Sequence, residues 1–324
     1  MKVGVWIPCY RRWVRRDETR RLAQAAEALG FASLWVQDHL VAPVGDADTT
    51  GVELQASWLE PDDYGNARFS AVEYYGEENW WLDPYALWGF LAGCTEACEL
   101  GSGVIVLPYR HPIAQAKMLG TLDVLSGGRM LFGVGVGHVE SEFRALGVPY
   151  GERGLLTDEY LAVIRTLLAG QETEFHGRTI RFDRVRPLIG SVQAPHPPFF
   201  IGGASRRAIE RAVDHGDGWL PAHVAPGPLG RGLDYLREYA ASRSRPVPEV
   251  AVSLVWGLRD PRVPAPPRGR RALWSVDEVA DRIAEYAALG VGRLAIDLPN
   301  PNLAVALRQM ELLAEAAAVA GALR

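Results

Sequence analysis

The sequence predicts a single (β/α)8 TIM barrel, an α/β fold, and three observations carry that expectation. Eight short apolar runs of the kind found in strands buried on both faces recur along the chain. Amphipathic segments of helix length separate them. Glycines gather where the runs end, as at Gly135-Val136-Gly137 and Gly202-Gly203, where something flat or anionic can approach the backbone closely. A doubly wound open sheet is the competing arrangement, but it does not call for eight units and more often carries one glycine fingerprint near its start. At 324 residues, 48% of them hydrophobic, the chain can bury a large core. No linker divides it, so residues 1–324 read as one domain.

Lys2 to Pro8 is the first expected strand, and Asp17 to Leu29 the first helix, ended by Gly30. Ser33 to Val36 is the second strand and runs at once into Gln37-Asp38-His39. Residues 41 to 81 break the rhythm, being long, acidic and aromatic, and read as an insertion after strand two. Asp83 to Cys98 is expected as a helix and Gly103 to Leu107 as strand three, ended by Pro108 and Pro112. Ile113 to Leu125 follows as a helix closed by Ser126-Gly127-Gly128, because glycine tolerates the left-handed cap position. Arg129 to Val136 is strand four, with a further insertion after it. Thr157 to Leu168 is helical, and Glu172 to Asp183 alternates around His176-Gly177 as a β-hairpin would. Pro198 to Ile201, Gly218 to Pro221, Val250 to Gly257 and Arg293 to Leu298 complete the strands. Helices are expected over Ser205 to His215, Pro228 to Ser242 and Asn302 to Ala320. Another opens at Ser275, where Ser275 and Glu278 have capping-box spacing.

A net charge of −5 supplies no basic field of the sort that draws nucleic acid. Cys9, Cys94 and Cys98 lack metal-ligand spacing, and the latter pair reads as packing on the helix expected there. The apolar part of MKVGVWIPCY is too short for a signal peptide, and no run reaches transmembrane length. A cytoplasmic protein with no membrane partner is the expectation.

In a barrel, chemistry belongs to the loops that follow the strands. Asp38-His39 pairs a carboxylate with an imidazole, and a histidine titrating near neutrality can shuttle protons. His39, His111 and His138 read equally as hydrogen-bonded structural residues. Tyr109 and Arg110 follow strand three, and Gly135, Gly137 and His138 follow strand four. Gly202-Gly203-Ala204-Ser205 before a helix is either a phosphate cradle or an ordinary helix start. Arg11, Arg12, Arg15 and Arg16, with Arg259, Arg262, Arg268, Arg270 and Arg271, would either hold an anion or form a solvated rim. His39, His138, His223 and Asp297 follow different strands, but no tight two-histidine motif supports a metal site, and no metal is expected.

Two stretches make the sequence recognisable: LGSGVIVLPYRHPIAQAKMLGTLDVLSGGRMLFGVGVGHVESEFRALGVPYGERGLLTDEYL and PPFFIGGASRRAIERAVDHGDGW. They resemble the bacterial luciferase-like flavin monooxygenase superfamily, most closely its coenzyme F420-dependent branch. The resemblance implies a cofactor ring across the strand ends, with a non-proline cis peptide at Gly103-Val104 behind it. It places Asp38 and His39 at the pyrimidine end and reacting face, and Gly135, Val136 and Gly137 beside the ring and ribityl chain. Ser141 joins these as a cofactor contact, and Gly202, Gly203 and Ala204 would hold the ribityl-phosphate end. His138 stands where a sugar-phosphate dehydrogenase relative has a glutamate, which argues against that substrate. The implied activity is hydride transfer between deazaflavin C5 and a small organic substrate, with His39, Asp38 and His138 as catalytic candidates. Alternatives are an FMN-dependent monooxygenase that uses O2 and a separate reductase, and a flavin-binding protein without catalysis. The arginine-rich rim favours F420, whose tail is anionic. A homodimer is implied as well, and the 41–81 insertion would serve as a lid, a substrate wall or a subunit contact.

Overall fold

A computed structural model of the protein describes residues 1–42, 80–262 and 273–323. Its strands are β1 (Lys2–Trp6), β2 (Ser33–Val36), β3 (Glu99–Ser102), β4 (Ile105–Val106), β5 (Met130–Gly135), β6 (Thr173–His176), β7 (Arg181–Val185), β8 (Phe199–Gly202), β9 (Gly218–Leu220), β10 (Glu249–Val255) and β11 (Arg293–Asp297). The helices described are α1 (Arg16–Ala28), α2 (Pro84–Ala92), α3 (Pro112–Ser126), α4 (Glu140–Ala145), α5 (Arg153–Leu168), α6 (Arg206–His215), α7 (Pro226–Ser242), α8 (Val276–Ala288) and α9 (Leu303–Val319). The sheet runs β3-β2-β1-β11-β10-β9-β8-β5-β4 and closes where β3 also pairs with β5. Leu100 there faces Met130 and Gly101 faces Leu131, in parallel register. Counting β3 and β4 as one bent strand, this is the eight-stranded parallel barrel that the sequence predicts.

Strands buried on both faces need two cores, and the chain supplies both. Trp6, Trp35, Leu131, Phe200, Leu220, Ala251 and Ala295 fill the barrel interior. Close packing in the barrel explains two glycines. A Cβ on Gly101 would stand 2.7 Å from the Trp35 ring, and one on Gly133 would stand 1.7 Å from the Ser102 carbonyl oxygen. The buried indoles keep their polar edges satisfied: Trp6 Nε1 donates to Ala295 O at 3.2 Å and Trp35 Nε1 to Ser33 Oγ at 2.8 Å. Outside the sheet, the apolar faces of the helices close a second core that includes Leu22, Trp88, Leu119, Ile164, Ile283 and Leu313.

Strand three departs from the sequence reading. The helix expected over 83–98 stops at Ala92, and the chain turns before β3. Arg129 donates to the carbonyls of Ala92, Thr95 and Cys98, and Glu27 accepts from the amides of Glu96, Ala97 and Cys98. Those contacts take the backbone groups that a continuing helix would use. Cys94 and Cys98 therefore do not lie on a helix; the Cys98 thiol donates to Phe31 O at 3.1 Å. The strand expected over Gly103 to Leu107 begins earlier, at Glu99, and is broken before Ile105. The peptide Gly103–Val104 at that break is cis, as the resemblance implied. Short α4 was not foreseen, whereas β6 and β7 form the expected hairpin, with Gly177 N donating to Ile180 O at 2.9 Å. Most of the 41–81 insertion lies outside the described residues. No described helix is long and apolar enough to cross a membrane.

Candidate active site

The strand exits bring Asp38 and His39, after β2, against Tyr109 and Arg110, after β4, and against Glu142 on α4. Asp38 is buried at 2% exposure and both its oxygens are engaged. Arg110 Nη1 donates to Oδ2 at 2.7 Å and Nη2 to Oδ1 at 2.9 Å, while Val106 N donates to Oδ2 at 3.0 Å. Burial pushes the Asp38 carboxyl up, and the guanidinium and the amide oppose it. Arg110 loses solvation too, yet Asp38 and Asp83 hold it above the usual arginine range. Two-pronged geometry of this kind keeps the pair ionised. A second layer fixes Arg110: its Nη2 reaches Asp83 Oδ2 at 2.9 Å, and Gln115 Nε2 donates to its carbonyl at 2.6 Å.

His39 is half-buried, with Nδ1 2.8 Å from Glu142 Oε2. Glu142 is fully buried and accepts further bonds from the Tyr109 hydroxyl at 2.8 Å, Leu40 N at 2.9 Å and Val41 N at 3.3 Å. Burial alone would raise its pKa, but the donors from His39, Leu40 and Tyr109 outweigh that and hold the carboxyl below its ordinary value. Around His39 stands a row of rings. The Trp81 ring meets it edge-on at 4.7 Å, Tyr10 stacks on Trp81 at 5.3 Å, and the His138 ring lies 6.1 Å from it. His138 is open to solvent at its surface but recessed among protein atoms; that desolvation and the neighbouring His39 ring lower its pKa to about 4.

Of the three residues expected to be catalytic, His39 and His138 stand ring to ring, whereas the Asp38 carboxylate is engaged by Arg110 and Val106 N. His111 has another use: its Nδ1 accepts from Ile113 N at 3.4 Å and caps α3. The Cys9 thiol, beyond the end of β1, is buried, and that burial pushes it up to about 12. Gly135 and Gly202 make room for Val104, since a Cβ on either would lie 2.5 Å from its side chain. Gly137 adopts a φ of 78° beside Val106 and Phe143, and Val136 before it is half-buried. Ala204 is buried and Gly203 turns the chain at a φ of 112° into α6, which Ser205 caps through Ala208 N at 3.2 Å. Of the arginines, Arg11 donates to Asn300 Oδ1 at 3.1 Å and Arg262 to Asp260 at 3.1 Å. Arg268, Arg270 and Arg271 lie outside the described residues. Among the described residues, no group of three or more His, Cys, Asp or Glu is placed to hold a metal ion.

Sequence reasoning missed Glu142 and gave no partner to Arg110 or Tyr109. The one local signal for Glu142 was its place shortly after a strand end, in His138-Val139-Glu140-Ser141-Glu142.

Residues 1–258 match the family described as luciferase-like monooxygenase. The chain belongs to that family. Its enzymes are flavin- or deazaflavin-dependent oxidoreductases and monooxygenases. An uncharacterised protein of Mycobacterium tuberculosis is 29% identical over 226 residues, 69% of this chain and 72% of its own. Two solved structures share the fold at lower identity. An F420-dependent secondary alcohol dehydrogenase, in complex with an F420–acetone adduct, is 16% identical with a TM-score of 0.76, covering 98% of both chains. The oxygenating constituent of 3,6-diketocamphane monooxygenase from Pseudomonas putida, in complex with FMN, is 16% identical with a TM-score of 0.72, covering 100% of this chain and 99% of its own.

The residues present in this luciferase-like barrel fit a phosphate-bearing flavin or deazaflavin. Ser141 Oγ is buried and finds no hydrogen-bond partner among the described residues, which leaves a hydroxyl for a ligand. The first turn of α6, opening at Arg206 after Gly202-Gly203-Ala204, presents backbone N–H groups that a helix cannot satisfy internally. Ser141 and that turn would hold the group, and the exits of β2 and β5 would flank it.

Proposed function

We propose that the protein is a deazaflavin-dependent oxidoreductase that moves a hydride between coenzyme F420 and a small carbinol or carbonyl compound, with His39 carrying the accompanying proton. The observation that supports this reading is the His39–Glu142 pair at the strand ends, 2.8 Å apart, with the carboxylate fully buried. When bound, a deazaflavin supplies a two-electron acceptor and donor of hydride.

His39 takes the hydroxyl proton as the carbinol carbon gives up its hydride, so the C–O single bond becomes a carbonyl. In the other direction the protonated imidazole returns that proton to the oxygen as hydride arrives at carbon. Asp38 has no part in the transfer, because both its oxygens are held by Arg110 and Val106 N–H. It fixes the exit of β2 on which His39 rides. His138, neutral near pH 7 with its lowered pKa, offers the substrate oxygen a hydrogen bond without a charge. Trp81 and Tyr10 wall the site and exclude water.

Purified protein titrated separately with F420 and FMN, oxidised and reduced, and followed by fluorescence, tests the proposal. Micromolar affinity for F420 with none for FMN is expected. Tight binding of FMN alone would overturn the reading and direct the search to oxygen chemistry.

A further inference from the structure

Glu142 is a fully buried carboxylate whose two oxygens gather four polar groups from two parts of the chain. Tyr109 comes from the turn after β4, and His39, Leu40 N and Val41 N from the chain just after β2. An ionised carboxylate can only accept. The two amides can only donate, and they anchor Oε1 at 2.9 and 3.3 Å. Oε2 is shared by the Tyr109 hydroxyl and His39 Nδ1, each at 2.8 Å. Were Glu142 protonated so as to donate to His39, it would lose acceptor capacity amid three other donors. The donors hold its pKa low, which agrees with the ionised form.

We infer that Glu142 is the positioning residue of this site: it holds His39 in the Nδ1–H tautomer, so that Nε2 is the nitrogen that exchanges a proton with substrate. The inference deepens the proposed function and rests on His39 being the proton carrier. Glu142 touches neither substrate nor cofactor in this scheme. It acts through the ring, by fixing which nitrogen is basic and by placing a negative charge against the imidazolium that forms when Nε2 is protonated. Among the described residues, titratable groups around the pair include Tyr109 on Oε2, the His138 ring beside His39 and the Asp38 carboxylate, which feels the His39 charge.

The carboxamide of Glu142→Gln gives the test its direction. Its oxygen can keep the two amide bonds, which turns its NH2 toward His39 and Tyr109. The imidazole must then accept at Nδ1 and carry its proton on Nε2. Histidine-labelled protein without cofactor, examined by 15N NMR above pH 8 with His39→Gln assigning the signal, reads the tautomer directly. Nδ1–H is expected in the wild type and Nε2–H in E142Q, whereas Tyr109→Phe should leave Nδ1–H in place. An Nε2–H wild type, or a tautomer unchanged in folded E142Q, overturns the inference. If E142Q fails to fold, the wild-type tautomer alone decides. The F420 titration is independent of this measurement, so loss of the cofactor assignment and loss of the Glu142 role are separate results. With an active substrate, E142Q should lower kcat by about 10²–10⁴-fold, the range ascribed to a positioned acid–base group.

Discussion

Asp38→Ala should destabilise the protein by about 3 kcal/mol, the low end of the range for breaking a buried ion pair. The Asp38 side chain is completely buried and that of Arg110 is 14% exposed. Removing the carboxylate strands the guanidinium and also takes the acceptor from Val106 N. Two features keep the cost from the upper end. Arg110 retains Asp83 at 2.9 Å, and that partner, 46% exposed, is close to solvent. A vacancy beside a partly exposed guanidinium can also admit water. Arg110→Met should cost a similar amount, because it leaves Asp38 buried without its cation. Asp38→Ala together with Arg110→Met should lose less than the sum of the two, with a coupling of about 2 kcal/mol, since no charge is then left alone. Urea unfolding followed by tryptophan fluorescence measures all four proteins. A loss under about 1 kcal/mol for Asp38→Ala, or strict additivity in the cycle, would refute the assignment of Asp38 as a structural ion-pair partner.

Two further predictions concern packing and acid. Gly133→Ala would drive a Cβ to 1.7 Å from a backbone oxygen in the barrel wall, so a loss of about 3 kcal/mol or more is expected, seen as low soluble yield or a fall in Tm. Gly151→Ala, with nothing within 4 Å of the added atom, should stay within about 0.5 kcal/mol in the same measurement. The Glu142 carboxyl has a lower pKa folded than unfolded, so its contribution is present above the unfolded value, about 4.3, and is lost as pH falls through the folded value. Thermal unfolding from pH 7 to pH 3 should therefore show a shallower acid limb in Glu142→Gln than in the wild type, and an equally steep limb would count against that account.

The barrel was legible because parallel strands buried on both faces leave continuous apolar runs, and helices between them leave a three-to-four spacing. Strand three was misplaced for the same reason. Val104 to Leu107 is the more apolar stretch, but the pairing with β2 begins at Glu99, where Gly101 is set by the Trp35 ring rather than by any local pattern. Asp38, His39 and His138 were visible from their positions immediately after predicted strands, and the resemblance added the cis bond at Gly103–Val104. Glu142 was not visible. In sequence it sits in a short charged run to which no element was assigned, and its partners His39 and Tyr109 lie 103 and 33 residues away. Burial of a carboxylate is tolerable only when donors converge on it, and convergence is a property of the closed barrel rather than of the segment. The residue that would decide which nitrogen of His39 is basic is therefore the one whose role depends wholly on tertiary structure, so a sequence scan for acid–base pairs at strand ends finds the imidazole without the group that orients it.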